Sequence, residues 1–156
     1  MASPLHSLAL AFCASFQDLD IDANIALRTP DCTHVFAPAS LNFPPSMKNA
    51  EWAAHASSLT AILSSFPVVA KEIFTSEGSN TVTIWATSEA VFREDVKEEG
   101  VEWSYYGEYM FVLQLEKEGE RIERVVEFLD STKVVEVRVL MDRARANLAR
   151  REGSGK

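Results

Sequence analysis

The chain has few of the residues that staple or punctuate small folds: two cysteines, six glycines and six prolines in 156 residues. Two cysteines, Cys13 and Cys32, cannot make the disulfide framework of a small secreted scaffold, so free buried thiols in a reducing, cytoplasmic setting are expected. The glycines are scattered through turns and strands and form no loop that would cradle a phosphate. No serine occupies a nucleophile elbow, and neither cysteine has a neighbouring base in sequence. The three histidines, His6, His34 and His55, lack metal-binding spacing, and Glu51-x-x-x-His55 is not the zincin pattern, so no metal and no cofactor are expected. Positive charge is scarce as well. Fifteen Lys and Arg stand against 23 Asp and Glu, and Arg28 is the only cation among the first 47 residues. Phosphate binding needs a cationic face, so nucleic acid is not an expected partner. No run approaches the roughly 20 apolar residues of a membrane span. The opening LHSLALAFCASF has no Lys or Arg before it and is interrupted by His6, Ser7 and Ser15, which favours an amphipathic helix over a secretory signal.

What is present is an ordinary globular composition, 47% apolar and 24% charged, of a length that suits a single domain over 1–156 with an ordered core from about 4 to 150. Ser3 caps and Pro4 opens a first helix to about residue 16, with Leu5, Leu8, Ala9, Phe12 and Phe16 on one face. Asp18, Asp20 and Asp22 offer caps for a short second helix ended by Pro30. Cys32 to Phe36 reads as a short strand at a sheet edge, and Asn49 as the cap of a third helix to about Ser65 carrying Trp52, Ala56, Leu59, Ile62 and Leu63. After Pro67 the apolar period changes from 3.6 to 2. Strands are expected over 68–75, 81–93, 103–115 and 121–129, then a terminal helix from Ser131 or Thr132 with Val134, Val135, Leu140, Met141 and Leu148, and a frayed end from Gly153. The fold class is α+β: a strongly curved antiparallel sheet wrapped around the N-terminal helices, with a C-terminal helix. Strands of 9 to 13 residues are too long to stay flat, and a curled sheet leaves a hollow between itself and the helices.

Alternation decides what points into that hollow. Trp103, Tyr105, Gly107, Tyr109, Phe111, Leu113 and Leu115 share the buried face of their strand. Tyr105 and Tyr109 therefore bring two phenols into an apolar space, as core with bonded hydroxyls or as pocket polar groups. On the last strand Glu127 lies between Val125 and Leu129. It is either part of a charged outer face or a carboxylate entering the cavity, where it needs a partner or a proton; the second arrangement suits a general acid or base. Arg28 either caps the second helix or reaches the cavity mouth to pair with Glu127 or polarise a substrate carbonyl. His55, one helical turn after Trp52, is either structural or faces the pocket.

Four segments carry a likeness to a known family: Leu27 to Leu41 (LRTPDCTHVFAPASL), Ile84 to Ala90 (IWATSEA), Tyr106 to Phe111 (YGEYMF) and Val126 to Ser131 (VEFLDS). Over roughly residues 5–150 the chain resembles fungal SnoaL-like proteins, a branch of the nuclear-transport-factor-like superfamily. The resemblance implies a cone-shaped half-barrel, a homodimer, and cofactor-free isomerisation or cyclisation of a reactive oxidised, hydrophobic natural-product intermediate of meroterpenoid or prenylated indole alkaloid type. It implies Arg28, Tyr105, Tyr109 and Glu127 as catalytic residues of a semipinacol-type or ring rearrangement. His55, Trp85, Trp103 and Phe111 are the expected substrate-binding residues. The competing expectations are a polyketide-type aldol cyclase, a non-catalytic binding module for a hydrophobic metabolite, and an interaction protein with a packed interior.

Overall fold

The computed structural model describes residues 2–155. Ser3 accepts from the His6 backbone N–H with Pro4 in the first turn, and α1 (Pro4–Ala14) follows, burying Leu5, Ala9, Phe12 and Cys13 along one stripe. Asp20 caps α2 (Ile21–Ala26) by accepting from the Ala23 N–H. β1 (Arg28–Ala37) is longer than the expected strand, because its pairing with the last strand already begins at Arg28, opposite Ile122. After the Pro-rich loop, β2 (Met47–Lys48) leads into α3 (Asn49–Leu59). There Glu51 accepts from the Lys48 N–H at 2.8 Å, so Lys48, not Asn49, is the capping position.

α3 ends earlier than its apolar spacing suggests. Ile62 and Leu63 instead enter a short ribbon in which β3 (Leu63–Ser65) pairs with β6 (Val91–Phe92). The strand expected over 81–93 is therefore two elements, β5 (Thr81–Glu89) and β6, and the ribbon carries Phe92 into a second core with Ile62, Val96, Trp103 and Tyr105. β4 (Val68–Ser76), β5, β7 (Tyr106–Leu115) and β8 (Ile122–Leu129) form the antiparallel meander. Residues 103–105 precede β7 rather than belonging to it, although they keep its alternation of burial.

The six-stranded sheet runs β2-β1-β8-β7-β5-β4. One pairing departs from the antiparallel expectation. β1 lies parallel to β8, with His34 opposite Val125 and Phe36 opposite Glu127, and β2 covers the flank of β1 that was expected to be an edge. The concave face receives α1 and α3, and Phe12 packs edge-on against Phe16 and Phe111. α4 (Ser131–Ser154), capped by Asp130, closes the open end with Val134, Val137 and Ala144 buried, while Val135 is solvent-facing. Its helical pattern continues through Gly153, where fraying was expected. The basic residues of α4 have a tertiary role beyond the helix dipole: Arg143 and Arg150 meet Glu98 at 3.0 and 3.8 Å, and Arg151 donates to the Lys97 carbonyl. Cys13 and Cys32 are free and buried.

Gly107 is the position where the absence of a side chain shapes this interior. A Cβ there would collide with the Tyr105 hydroxyl and lie 2.9 Å from its Cζ, so the gap on β7 is filled by the Tyr105 phenol folding back toward Tyr109. Gly107→Ala is expected to destabilise the protein by about 1–3 kcal/mol through overpacking, measured by urea unfolding. In Tyr105→Phe, which lacks the colliding oxygen, the same substitution costs less.

Candidate active site

A cavity of about 340 Å³ lies between the concave sheet, the link from α1 into the start of α2, α3 and α4. Its wall is largely apolar, including Phe16, Phe36, Trp52, Phe66, Leu129 and Met141, and it also carries the polar residues Ser15, His55, Tyr109 and Glu127. Glu127 and Tyr109 come from the inward faces of β8 and β7, where Phe111 pairs with Glu127 and Tyr109 with Leu129. The two groups are thus diagonal neighbours across adjacent strands. Charged residues gather at the mouth, with Arg138 donating to the Leu41 carbonyl and Arg145 meeting Asp142 at 3.4 Å.

The carboxylate is the unusual element, because Glu127 is only 7% exposed. Its Oε2 lies 2.8 Å from His34 Nε2, and His34 is completely buried. The other ring nitrogen, Nδ1, is 3.2 Å from an Arg28 terminal nitrogen. Arg28 also donates from Nε to Asn24 Oδ1 at 2.8 Å, Asn24 donates to Ser15 Oγ at 2.8 Å, and Ser15 donates to the Phe12 carbonyl at 2.7 Å. A continuous buried line of hydrogen bonds thus runs from the cavity through β1 and α2 into α1. Trp52 closes one side of it, with the His34 ring stacked at 5.7 Å and the Arg28 guanidinium 4.1 Å from the indole centroid. A desolvated cation over an aromatic face gains about 2 kcal/mol or more, which helps offset the burial of Arg28. Burial pushes the His34 pKa down, with the Arg28 charge acting in the same direction and Glu127 opposing. Burial also pushes His55 down.

The phenols form a second pair. Tyr105 and Tyr109 share a hydrogen bond at 2.8 Å, and burial raises both, Tyr109 well above the ordinary tyrosine value. Both remain neutral phenols at neutral pH.

The structure thus places Tyr109, Glu127 and His55 on the cavity wall and Tyr105 directly behind Tyr109. Arg28 lies elsewhere than expected. It neither caps the α2 carbonyls with its side chain nor reaches the mouth; it is 4% exposed, behind the wall, with His34 between it and Glu127. Phe111 sits beneath the wall, packed by Phe12, Phe16 and Tyr109, and supports the cavity without lining it. Trp103 belongs to the second core, against Phe92, with its Nε1 donating to the Glu98 carbonyl. Trp85 is on the outer face of the sheet, because strand parity puts Ile84 and Ala86 inside. Its Nε1 donates to Glu108 at 2.9 Å and Lys71 lies 3.8 Å from its ring. Trp85, Trp103 and Phe111 therefore do not line this cavity. His34 has no metal spacing, and its signal in the sequence is its place between Cys32 and Phe36 on one strand face, where alternation makes it a buried polar residue. Asn24 and Ser15 carried no such signal. Among the described residues no cluster of His, Cys, Asp and Glu is arranged to hold a metal ion, and no helix is long and apolar enough to cross a membrane.

No family model matches the sequence. Among curated proteins it is 28% identical over 127 residues to the austinoid biosynthesis cluster protein H of Aspergillus calidoustus, covering 81% of this chain and 83% of that protein. Among solved structures it matches the BvnE pinacolase of Penicillium brevicompactum with a TM-score of 0.76 and 26% identity, over 92% of this chain and 95% of that one. It matches AusH of Aspergillus nidulans with a TM-score of 0.70 and 25% identity, over 84% and 86% of the two chains. The chain is thus similar in sequence over four fifths of its length to fungal austinoid-cluster proteins, and it shares its fold, with a cavity and a buried carboxylate, with AusH and the BvnE pinacolase, in keeping with the SnoaL-like resemblance of its sequence.

Proposed function

We propose that the protein is a cofactor-free isomerase that rearranges a reactive, oxidised and largely apolar intermediate of a fungal natural-product pathway, of meroterpenoid or prenylated indole alkaloid type. The observation that carries this reading is Glu127: a carboxylate set in an apolar cavity, bonded from behind through Oε2, with no protein partner for Oε1 among the described residues. Such a group suits proton abstraction from a bound hydroxyl or an acidified C–H. In a semipinacol-type shift, Glu127 takes the carbinol proton, the C–O bond becomes a carbonyl, and the migrating group carries its electron pair to the adjacent electron-poor carbon. Bonds move within one molecule, so no oxidant or reductant is consumed. Tyr109, backed by Tyr105, donates a hydrogen bond to substrate oxygen, and His55 presents a further polar contact on the α3 side. The apolar wall fixes which bond is aligned to migrate and keeps water from the intermediate. The likeness to a pinacolase and to an austinoid cluster protein supports the reading.

We further propose that the molecule is a homodimer formed through the outer sheet face, where Trp85, Met110 and Phe128 lie in register on β5, β7 and β8, and Phe74 on β4 stands opposite Thr83, two residues along β5 from Trp85. Phe74 and Phe128 are each more than half exposed, and large apolar surface of this kind marks an interface.

Three outcomes are expected. Glu127→Gln lowers turnover of the natural intermediate by about 10²–10⁴-fold while the thermal unfolding profile stays that of a folded protein. Full retention of activity, or a product distribution identical with and without protein, refutes catalysis by this carboxylate. The second concerns pH. His34 and His55 titrate lower when folded than unfolded, so the unfolded chain binds more protons as pH falls below the ordinary histidine value of about 6.5. Stability from their burial is complete above that pH and declines below it; urea midpoints at pH 7.5 and 5.5 measure this, and His34→Gln flattens the difference. Third, Met110→Lys converts a dimer to a monomer in sedimentation equilibrium without changing the far-ultraviolet circular dichroism.

A further inference from the structure

The line of hydrogen bonds behind Glu127 has a direction that chemistry fixes. A guanidinium has only donors, so the His34 nitrogen facing Arg28, Nδ1, must be the acceptor and carries no proton. The one proton of the neutral ring therefore resides on Nε2 and points at Glu127 Oε2, 2.8 Å away. An imidazolium would set an N–H of Nδ1 against the Arg28 donors in a space closed to water. The reverse neutral tautomer fails twice: it creates the same donor clash and leaves a ring lone pair facing a carboxylate. Arg28 is itself held by Asn24 Oδ1, whose amide nitrogen is committed to Ser15, and Ser15 to the α1 backbone. Each member has its role set by the one behind it.

We propose that His34 is a positioning residue that holds Glu127 for proton abstraction through an Nε2–H donor, and that Arg28 acts by fixing this tautomer rather than by touching substrate. The inference rests on the reading of Glu127 as the proton acceptor and adds how that role is enforced. With Oε2 occupied, only Oε1 is available to the cavity, so the carboxylate accepts from one direction. The Arg28 cation balances the Glu127 charge through a neutral ring and is never a direct partner that would occupy both carboxylate oxygens.

The test begins with the folded protein and no substrate. Nitrogen-15 spectra of histidine-labelled protein at pH 7.5, with His6→Gln and His55→Gln changes leaving a single resonance set, report the tautomer of His34. A pyridine-like Nδ1 and a protonated Nε2 are expected. A protonated Nδ1, alone or as imidazolium, overturns the proposal. In Arg28→Gln the amide oxygen can accept from Nδ1–H while Glu127 still accepts from Nε2–H, so His34 is expected to take up a second proton at higher pH than in the parent protein, whereas Arg28→Lys, a donor only, keeps Nδ1 unprotonated. An Nδ1 that stays unprotonated in Arg28→Gln over the same pH range as in the parent protein overturns the role given to Arg28. In turnover, Arg28→Gln is expected to lower kcat about tenfold or more with KM nearly unchanged and to move the acidic limb of the pH profile to higher pH. Arg28→Lys recovers most of that loss. An effect confined to KM overturns the assignment. The groups facing Glu127 and His34 in that profile are Arg28, His55, Tyr109 and, behind it, Tyr105, so the same measurement in His55→Gln separates the His55 titration from theirs. Because the spectra require no turnover, failure of the rearrangement reading leaves the tautomer result standing, and a wrong tautomer leaves the Glu127→Gln outcome standing.

Discussion

The contact between His34 and Glu127 is the constraint on which the rest of the molecule depends. A carboxylate this deep in apolar surroundings is costly unless it is bonded, and leaving a buried polar group without its hydrogen-bond partner costs about 1–3 kcal/mol, more for a charged one. The fold meets the requirement with neighbouring strands. β1 must lie parallel to β8 and in the register that sets His34 and Phe36 against Val125 and Glu127. A shift of one residue would turn the histidine to the outer face and leave the carboxylate and the arginine each unpaired. The functional arrangement and the register of the sheet are thus fixed by the same bond.

The layers around that bond divide the labour. Aromatic packing of Phe12, Phe16, Phe111 and Trp52 gives the cavity a stiff floor, and Trp52 also screens the guanidinium from water. The pair of phenols, made possible by Gly107, adds a neutral hydrogen-bonding group at a fixed place near the carboxylate. α4 completes the wall and is tied down by its arginines on the acidic segment around Glu98. A cavity built this way binds apolar molecules by area and orients them by very few polar contacts.

Much of this was legible in the residues themselves. The Ser3-Pro4 start, the change of apolar period after Pro67, and the parity of Tyr105, Tyr109 and Phe111 on β7 all follow from local rules. Glu127 stood out because a charge alternated with Val125 and Leu129. What local rules could not supply was the partner across the sheet. Nothing near Cys32 to Phe36 says that its strand pairs with β8 rather than with a hairpin neighbour, so in sequence His34 reads as an isolated histidine and Arg28 as either a helix cap or a cation at the cavity mouth. Trp85 misled for the complementary reason: an indole in a long strand is compatible with either face, and only the burial of Ile84 and Ala86 assigns it to the outside. The break between β5 and β6 arose from the tertiary pairing with β3, which no spacing records.

The His34–Glu127 contact joins residues 93 positions apart. Closing so long a loop carries a substantial entropic cost before any contact rewards it, and topologies of this kind fold slowly relative to local ones. The pair therefore does not exist while the chain is being synthesised or when only its first strands have formed. It comes into being with the docking of the last strand, so assembly of this buried polar cluster and completion of the native topology are a single event.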